Sequence, residues 1–161
     1  MSMRKDFMIH DLHVRQPTAI GFNPARREIY LGFEDGTVKA IDVDKGNLVQ
    51  TYAQHKGWIN AFLYWPKNKS MFCASNDATI SVIGSGGNPL DRILIGKPVY
   101  SMAFNEKRNE IILGVDTGMQ FHTLIDTKEN FSHFIVSKAN YISHEHTDLV
   151  RCLAVLDSRI Y

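Results

Sequence analysis

Short apolar runs that alternate with polar positions recur along the chain about every forty residues. Four copies of one such run can be aligned, at residues 17–24, 59–66, 98–105 and 150–157. The alignment places Phe22, Tyr64 and Phe104 in register, with offsets of 42 and 40 positions. No segment has the periodicity of an amphipathic helix. The pattern therefore predicts a series of similar all-β units.

A second apolar run directly follows each of the first three copies and ends in a tight turn, where Gly36, Ala78 and Gly118 align. Asp-Gly and related pairs at such turns are typical of β-hairpins. A third strand, a turn rich in Gly, Asp and Asn, and a last strand complete the unit. Four strands in about forty residues predict one blade of a β-propeller.

Residues 37–49, TVKAIDVDKGNLV, are preceded by EDG and followed by QHKGWINAF. This arrangement resembles the WD-repeat family, whose blades carry a Gly-His pair before the first strand and a Trp-Asp pair at the end of the third. The namesake tryptophan is absent from the three copies, which read Ile41-Asp42, Ile83-Gly84 and Thr123-Leu124. The resemblance implies an all-β propeller of four-stranded antiparallel blades, present in part as about three and a half blades.

The repeat divides the chain into an outer strand, three repeats and the beginning of a fourth. The boundaries are 1–12 for an outer strand that would close a missing last blade, 13–54 for repeat 1, 55–95 for repeat 2, 96–145 for repeat 3 with an inserted connection, and 146–161 for the start of repeat 4. Because a blade cannot cover both of its own faces, we expect the N-terminal half of a larger propeller, as a fragment or a truncated product. It should present an unpaired sheet edge and an apolar blade face, which missing blades of the same or another chain would cover.

Histidines occupy one repeated position. His13, His55 and His146 each stand nine residues before the aligned residue of the first strand. Asp35 and Asp77 follow His13 and His55 by 22 residues, in the turn between the second and third strands. A catalytic or metal-binding group is normally a single constellation, whereas a group that recurs from blade to blade serves the blade. These residues are therefore predicted to be structural.

The WD-repeat resemblance implies that the histidine and aspartate of a blade hydrogen-bond near one rim, with a strand serine or threonine between them. Ser75 is expected to take that part in the second blade, whereas the first blade offers Phe33. In the third blade both members are replaced, by Ile95 and Thr117. A catalytic Ser-His-Asp arrangement in the second blade is the alternative, but a buried structural trio is favoured.

Composition narrows the classes of function. The 161 residues are 44% apolar, with 18 basic and 17 acidic side chains and a formal charge of +1. One ordinary domain is predicted, without a general nucleic-acid or anionic-membrane partner. The chain has no apolar stretch of membrane-spanning length and no secretory signal, so we expect no membrane insertion and a cytoplasmic location, with the cilium or cytoskeleton as alternatives. Cys73 and Cys152 are expected to be buried free thiols.

Two further motifs invite a ligand-binding hypothesis. Residues 84–89, GSGGNP, could surround a phosphate, but no helix and no Lys-Ser/Thr pair follows, so a loop connector is favoured. Residues 144–146, HEH, could chelate a metal, but no third ligand stands near them. We therefore expect no catalytic, cofactor or metal site.

The third repeat is longer than the others, with 51 residues from Phe104 to Val155. About ten extra residues are placed within 130–148, as a lengthened surface connection or a binding loop. The first strands are expected to begin at the same rim as this insertion. Trp58, which lies there, is the favoured anchor for a protein partner, with a tryptophan folded over the neighbouring blade as the alternative. The other candidate partner-binding residues are Asn60, Asn76, Gln16 and Arg151, with Glu34 and Asp116 as weaker neighbours.

The resemblance implies a non-enzymatic scaffold that binds protein or peptide partners on the propeller rim. One alternative is the propeller half of a multidomain protein whose lipid-binding, ciliary or enzymatic activity lies beyond this chain. Another is an enzyme on the propeller itself, which would need an open cluster of acid, base or metal ligands. The evenly spread histidines argue against such a cluster.

Overall fold

The computed structural model describes residues 16–125, 138–156 and 159–161. Its strands are β1 Ala19–Asn23, β2 Glu28–Gly32, β3 Val38–Asp42, β4 Leu48–Tyr52, β5 Ile59–Trp65, β6 Ser70–Ser75, β7 Thr79–Ile83, β8 Pro89–Leu94, β9 Ser101–Asn105, β10 Glu110–Gly114, β11 Met119–Thr123, β12 Tyr141–Ser143, β13 Val155–Leu156 and β14 Arg159–Ile160. A turn of 3₁₀ helix covers Glu106–Arg108. Within these ranges no helix is long and apolar enough to cross a membrane. His13 and the expected outer strand in residues 1–12 lie outside the described residues.

The strands form three four-stranded antiparallel sheets, β1 to β4, β5 to β8 and β9 to β12, and a two-stranded ribbon of β13 and β14. In each four-stranded sheet the strands neighbour one another in chain order. Equivalent pairs recur in the three sheets, namely Phe22 with Ile29, Tyr64 with Met71 and Phe104 with Ile111. Antiparallel sheets of this kind are the blades of a propeller, so the predicted fold class is confirmed.

Main-chain hydrogen bonds tie each blade to the one before it. Three such bonds are present: Ile59 N–H to Phe33 O at 3.1 Å, Val99 N–H to Ser75 O at 3.2 Å and Val150 N–H to Val115 O at 3.1 Å. The donors are 40 and 51 positions apart, like the repeats themselves, so the fourth repeat begins as the others do. The aligned position of the first blade is Pro17, which has no N–H to donate.

Apolar side chains fill the space between neighbouring blades. The cluster between the first and second blades includes Tyr30, Val38, Tyr52, Ile59, Met71 and Cys73, and the cluster between the second and third includes Trp65, Phe72, Val82, Met102, Ile111 and Leu113. The first and second blades approach so closely at Gly21 that a glycine is required there. A Cβ on Gly21 would lie 2.5 Å from the Phe62 Cβ, so no larger residue fits there without movement of the blades.

One face of the first blade carries exposed apolar side chains. Ile20 is 69% exposed and Phe22 is 51% exposed. Phe22 holds the place that Tyr64 and Phe104 hold in the next two blades, where both pack against an interblade cluster. The exposed face therefore has the composition of a blade-to-blade interface.

The connecting turns lie at two rims. The upper rim holds the turns between second and third strands and the entries into the first strands, and the lower rim holds the remaining turns of each blade. The inserted connection of the third blade joins β11 to β12, because Phe121 pairs with Tyr141 and Met119 with Ser143. The chain thus leaves β11 at the lower rim, opposite Trp58. The expectation that the insertion shares a rim with Trp58 is wrong, because successive turns of an antiparallel sheet alternate between its two ends. Residues 126–137 of this connection lie outside the described residues.

Candidate functional site

The imidazole of His55 lies at the centre of a hydrogen-bond network at the upper rim of the second blade. Its Nδ1 atom is 3.2 Å from Asp77 Oδ2 and 3.1 Å from Thr79 Oγ1, and its Nε2 atom is 2.7 Å from Ser81 Oγ. His55 is 6% exposed, and the Asp77 side chain is 9% exposed. The Lys56 N–H and the Thr79 N–H also donate to the Asp77 carboxylate. The network joins the entry of β5 to the start of β7.

The protonation states in this network follow from burial and hydrogen bonding. Burial lowers the pKa of His55 more than the nearby Asp77 carboxylate raises it, so the ring is neutral at pH 7. Burial would raise the pKa of Asp77, but hydrogen bonds from Thr79, the Lys56 N–H and His55 outweigh it and lower the pKa to about 2. A neutral ring that donates Nδ1–H to the carboxylate leaves Nε2 to accept the Ser81 hydroxyl. Both ring nitrogens are therefore satisfied without a substrate.

Ser75 does not stand between His55 and Asp77, so the expectation for this residue is wrong. Its hydroxyl donates to the Gly57 carbonyl at 2.9 Å and accepts the Asp77 N–H at 3.1 Å. Ser75 is the last residue of β6 and faces the turn, whereas Thr79 and Ser81 alternate along β7 toward the imidazole. The Ser-His-Asp alternative does not involve Ser75, whose hydroxyl does not contact the ring. The hydroxyl on Nε2 is that of Ser81, which is 1% exposed and is not open to a substrate.

Arg92 is a member of this network that the sequence reasoning missed. Its Nη2 atom lies 3.2 Å from Asp77 Oδ2 and its Nε atom lies 3.2 Å from Thr79 Oγ1. Arg92 pairs with Ser81 across β7 and β8, and its side chain is 42% exposed. The pairing of the third and fourth strands is the signal that could have revealed it, because residues opposite each other lie on one face of the sheet.

Of the other predicted members of the repeated His/Asp position, the structure describes Asp35 and His146. His13 lies outside the described residues, and Asp35 is exposed and accepts the N–H and the hydroxyl of Thr37 at 3.0 and 2.7 Å. His146 is exposed, so the burial expected for this repeated position is not found there. His122, which no pattern singled out, is buried on β11 and its Nε2 atom is 3.0 Å from Gln120 Oε1.

Trp58 lies beside a pair of asparagine amides at the upper rim. Its side chain is 52% exposed, and its carbonyl accepts the Asn76 N–H at 2.9 Å. Asn60 Nδ2 donates to Asn76 Oδ1 at 2.8 Å and to the Val99 carbonyl at 2.8 Å. A β-bulge at Asn60 places this side chain toward the third blade. The structure therefore brings together three of the candidate partner-binding residues.

The neighbouring upper-rim positions extend this surface to both sides. Gln16, Glu34 and Arg151 are exposed. The Tyr100 hydroxyl donates to Asp116 Oδ1 at 3.3 Å. Burial and the adjacent Asp116 carboxylate raise the pKa of Tyr100, so the phenol stays neutral and keeps its proton to donate. The upper rim is thus a mixed polar surface with one large exposed aromatic side chain.

The Gly-rich loop at residues 84–89 contacts the first blade. The Tyr52 hydroxyl donates to the Gly87 carbonyl at 2.7 Å, and a Cβ on Gly87 would lie 2.7 Å from Arg26 Cζ. Arg26 in turn donates through Nε and Nη2 to the buried Glu28 carboxylate at 2.8 and 2.7 Å. The loop therefore connects β7 to β8, as expected, and packs against the first blade, with Gly87 at φ +81°.

The described ranges contain no group of three or more His, Cys, Asp or Glu side chains that could hold a metal ion. Cys73 is buried, and burial raises the pKa of its thiol, so it stays protonated. Cys152 is exposed, so the expectation that both thiols are buried is wrong. The ribbon of β13 and β14 follows it and leaves that side chain uncovered.

The chain has partial matches to curated proteins. It is 42% identical over 52 residues to the WD repeat-containing protein JIP5 of Coprinopsis cinerea, a match that covers 32% of this chain and 13% of that protein. It is 29% identical over 80 residues to the WD repeat-containing protein 90 of Xenopus tropicalis, covering 48% of this chain and 4% of that protein. The chain resembles WD-repeat β-propeller proteins. It spans only a small part of the length of these relatives, and no protein-family model matches it.

Solved structures show the same fold. The computationally designed Ika4 protein superposes with a TM-score of 0.70 and 20% identity, covering 93% of this chain and 86% of that chain. The computationally designed Ika8 protein superposes with a TM-score of 0.68 and 20% identity, covering 89% of this chain and 41% of that chain. These likenesses concern the fold alone. The resemblance to WD-repeat proteins rests on the aligned residues described above and on the partial matches in sequence.

Proposed function

We propose that the chain is a non-enzymatic scaffold that binds a protein or peptide partner on its upper rim. The observation that carries this proposal is the half-exposed Trp58 side chain beside the Asn60 and Asn76 amides. A large aromatic side chain on a rigid strand end loses little conformational entropy on binding and provides a large contact area. The resemblance to WD-repeat proteins supports this class of function.

The amides next to Trp58 are suited to a polypeptide partner. Asn60 donates from its Nδ2 atom to Asn76 Oδ1 and to the Val99 carbonyl, which leaves its Oδ1 atom as an acceptor. Asn76 uses its Oδ1 atom, which leaves its Nδ2 group as a donor. One acceptor and one donor side by side match the N–H and C=O groups of a peptide main chain.

The burial of the His55 network supports a binding function over catalysis. His55 lies between Asp77 and Ser81 in the order of a Ser-His-Asp triad. Ser81 is 1% exposed and His55 is 6% exposed, so neither the hydroxyl nor the ring is open to a substrate. The network instead fixes the strand ends from which Trp58 and Asn76 project.

An affinity capture that compares matched variants tests this proposal. We expect proteins recovered with the unmodified chain to be lost with Trp58→Ala. The control is Leu48→Ala, which removes another exposed apolar side chain, 51% exposed, from the start of β4 at the lower rim. Equal thermal unfolding of the two variants would show that the fold is kept. Unchanged recovery with Trp58→Ala, or equal loss with Leu48→Ala, would show that partners do not bind through Trp58.

A further inference from the structure

A concave surface lies on the lower rim between the second and third blades. It is a pocket of about 480 Å³ lined by Trp65, Pro66, Lys67, Phe104, Glu106, Asn109 and Leu124. The rings of Trp65 and Phe104 form its aromatic wall, with centroids 5.9 Å apart. Its volume is in the range of pockets that hold a small ligand or a single bulky side chain. It lies at the opposite end of the blades from Trp58.

The pocket is built by the turns that follow the first strands of two blades. Residues 66–69 connect β5 to β6, and residues 106–109 connect β9 to β10. The Asn109 side chain donates from Nδ2 to the Leu124 carbonyl at 2.8 Å, and the Leu124 N–H donates to the Asn109 carbonyl at 2.9 Å. These bonds hold one wall of the pocket in place. The concavity is therefore formed by structured main chain.

Positive charge surrounds the mouth of this pocket. Lys67 makes an interaction of its own. The other charged side chains of the two turns are three basic ones against the Glu106 carboxylate, a formal charge of +2. Lys69, Lys107 and Arg108 are exposed. The chain as a whole has a formal charge of +1, so this is a local concentration of charge. An apolar pocket within a basic border is complementary to an apolar group that is flanked by acidic groups.

We infer that this lower-rim pocket binds an acidic peptide segment through one bulky apolar or aromatic side chain. The apolar side chain enters the concavity and packs against the wall formed by Trp65 and Phe104, whose rings contact each other. The flanking Asp or Glu residues of the peptide lie against Lys69, Lys107 and Arg108. This site is separate from the upper-rim surface, and a partner held there leaves Trp58 free.

The distribution of the two tryptophans permits a direct measurement. Trp58 and Trp65 are the two tryptophans of the chain, one at each rim. In a Trp58→Phe variant, Trp65 alone reports on the pocket by its fluorescence. The probe is the peptide EEDFDEE, which contains no tryptophan, titrated at low salt. The comparison peptides are EEDADEE, which lacks the aromatic side chain, and KKRFRKK, which reverses the charge.

We expect saturable binding of EEDFDEE, at least about tenfold weaker binding of EEDADEE, and no binding of KKRFRKK. Raising the salt concentration should weaken the complex, because the charges lie at an exposed border. The double substitution Lys107→Glu and Arg108→Glu should weaken EEDFDEE at least about tenfold. The matched control is Lys56→Glu with Lys97→Glu, two exposed lysines away from the pocket, which should change the affinity less than about twofold.

Several results would overturn the inference. Equal affinity for EEDFDEE and EEDADEE would mean that charge alone acts and that the pocket is not used. Equal weakening by the control pair would mean that the overall charge of the chain acts. Binding to vesicles that contain anionic phospholipid, without binding to the peptide, would assign the basic border to a membrane surface. Binding of fluorescently labelled EEDFDEE without a change in Trp65 fluorescence would place the peptide elsewhere.

Discussion

Replacing Asp77 by alanine would remove an acceptor shared by five hydrogen-bond donors. They are His55 Nδ1, the Lys56 N–H, the Thr79 N–H, the Thr79 hydroxyl and Arg92 Nη2. The loss that matters most is that of His55, because its imidazole N–H is buried and water does not replace the carboxylate there. The Lys56 N–H and the Arg92 side chain lie toward solvent, where water can take over as the acceptor.

The expected cost follows from the burial of these groups. A buried polar group left without its partner costs about 1–3 kcal/mol. The exposed donors add little, since hydrogen bonds and ion pairs at the surface contribute at most about 1 kcal/mol. We therefore expect Asp77→Ala to lower the free energy of unfolding by roughly 1–3 kcal/mol.

Urea denaturation followed by tryptophan fluorescence measures this difference. Asp148→Ala is the control, because Asp148 is an exposed aspartate whose carboxylate accepts the neighbouring Leu149 N–H. Its loss should be less than about 1 kcal/mol. In a double-mutant cycle, His55→Leu should recover part of the cost of Asp77→Ala, since both polar partners are then removed. Equal destabilisation by Asp77→Ala and Asp148→Ala would refute the assignment of His55 as a buried, satisfied group.

Three other perturbations test the remaining physical assignments. Folding lowers the pKa values of both His55 and Asp77, so on acidification the unfolded chain binds protons before the folded chain does. Stability should therefore fall as pH drops below about 6.5, and again between about pH 4 and 2 by roughly 1–2 kcal/mol for the carboxylate after screening. A urea midpoint that does not change from pH 8 to pH 3 would contradict this. Ala78 adopts φ +65°, a strained conformation for a residue with a Cβ, so Ala78→Gly should stabilise the chain by roughly 0.5–1 kcal/mol. A lower melting temperature of Ala78→Gly would show that Ala78 is not strained. Gly87→Ala should lower the free energy of unfolding by about 1 kcal/mol more than Gly96→Ala does. Both glycines have positive φ, but only at Gly87 would an added Cβ meet a guanidinium carbon, that of Arg26 at 2.7 Å. Equal melting temperatures of the two variants would show that this contact relaxes freely.

The repeat made the fold predictable because period-two alternation and turn chemistry agree in each blade. The offsets that align Phe22, Tyr64 and Phe104 are also those of equivalent strand pairs in the structure. The position of the insertion was not predictable, because a difference in repeat length does not say which turn carries the extra residues.

The candidate site was predictable in part. The WD-repeat resemblance implied that His55 and Asp77 hydrogen-bond, and the structure places them 3.2 Å apart. The hydroxyls that contact His55 come from β7 and not from Ser75 on β6. Side chains at Thr79 and Ser81 share one face of β7, which the two-residue spacing already implies. The bulge at Asn60 had no signal in the sequence.

Because of Pro17, the outer edge of the first blade lacks a main-chain donor that the junctions between blades inside the chain have. Internal junctions each close with a main-chain hydrogen bond from Ile59, Val99 or Val150, so separating two of these blades breaks a backbone bond. At the face of Ile20 and Phe22 the corresponding donor is absent. A sheet that covers this face would lack the main-chain bond that each internal junction has. Separating it from the first blade would therefore cost one backbone hydrogen bond fewer than separating two blades inside the chain.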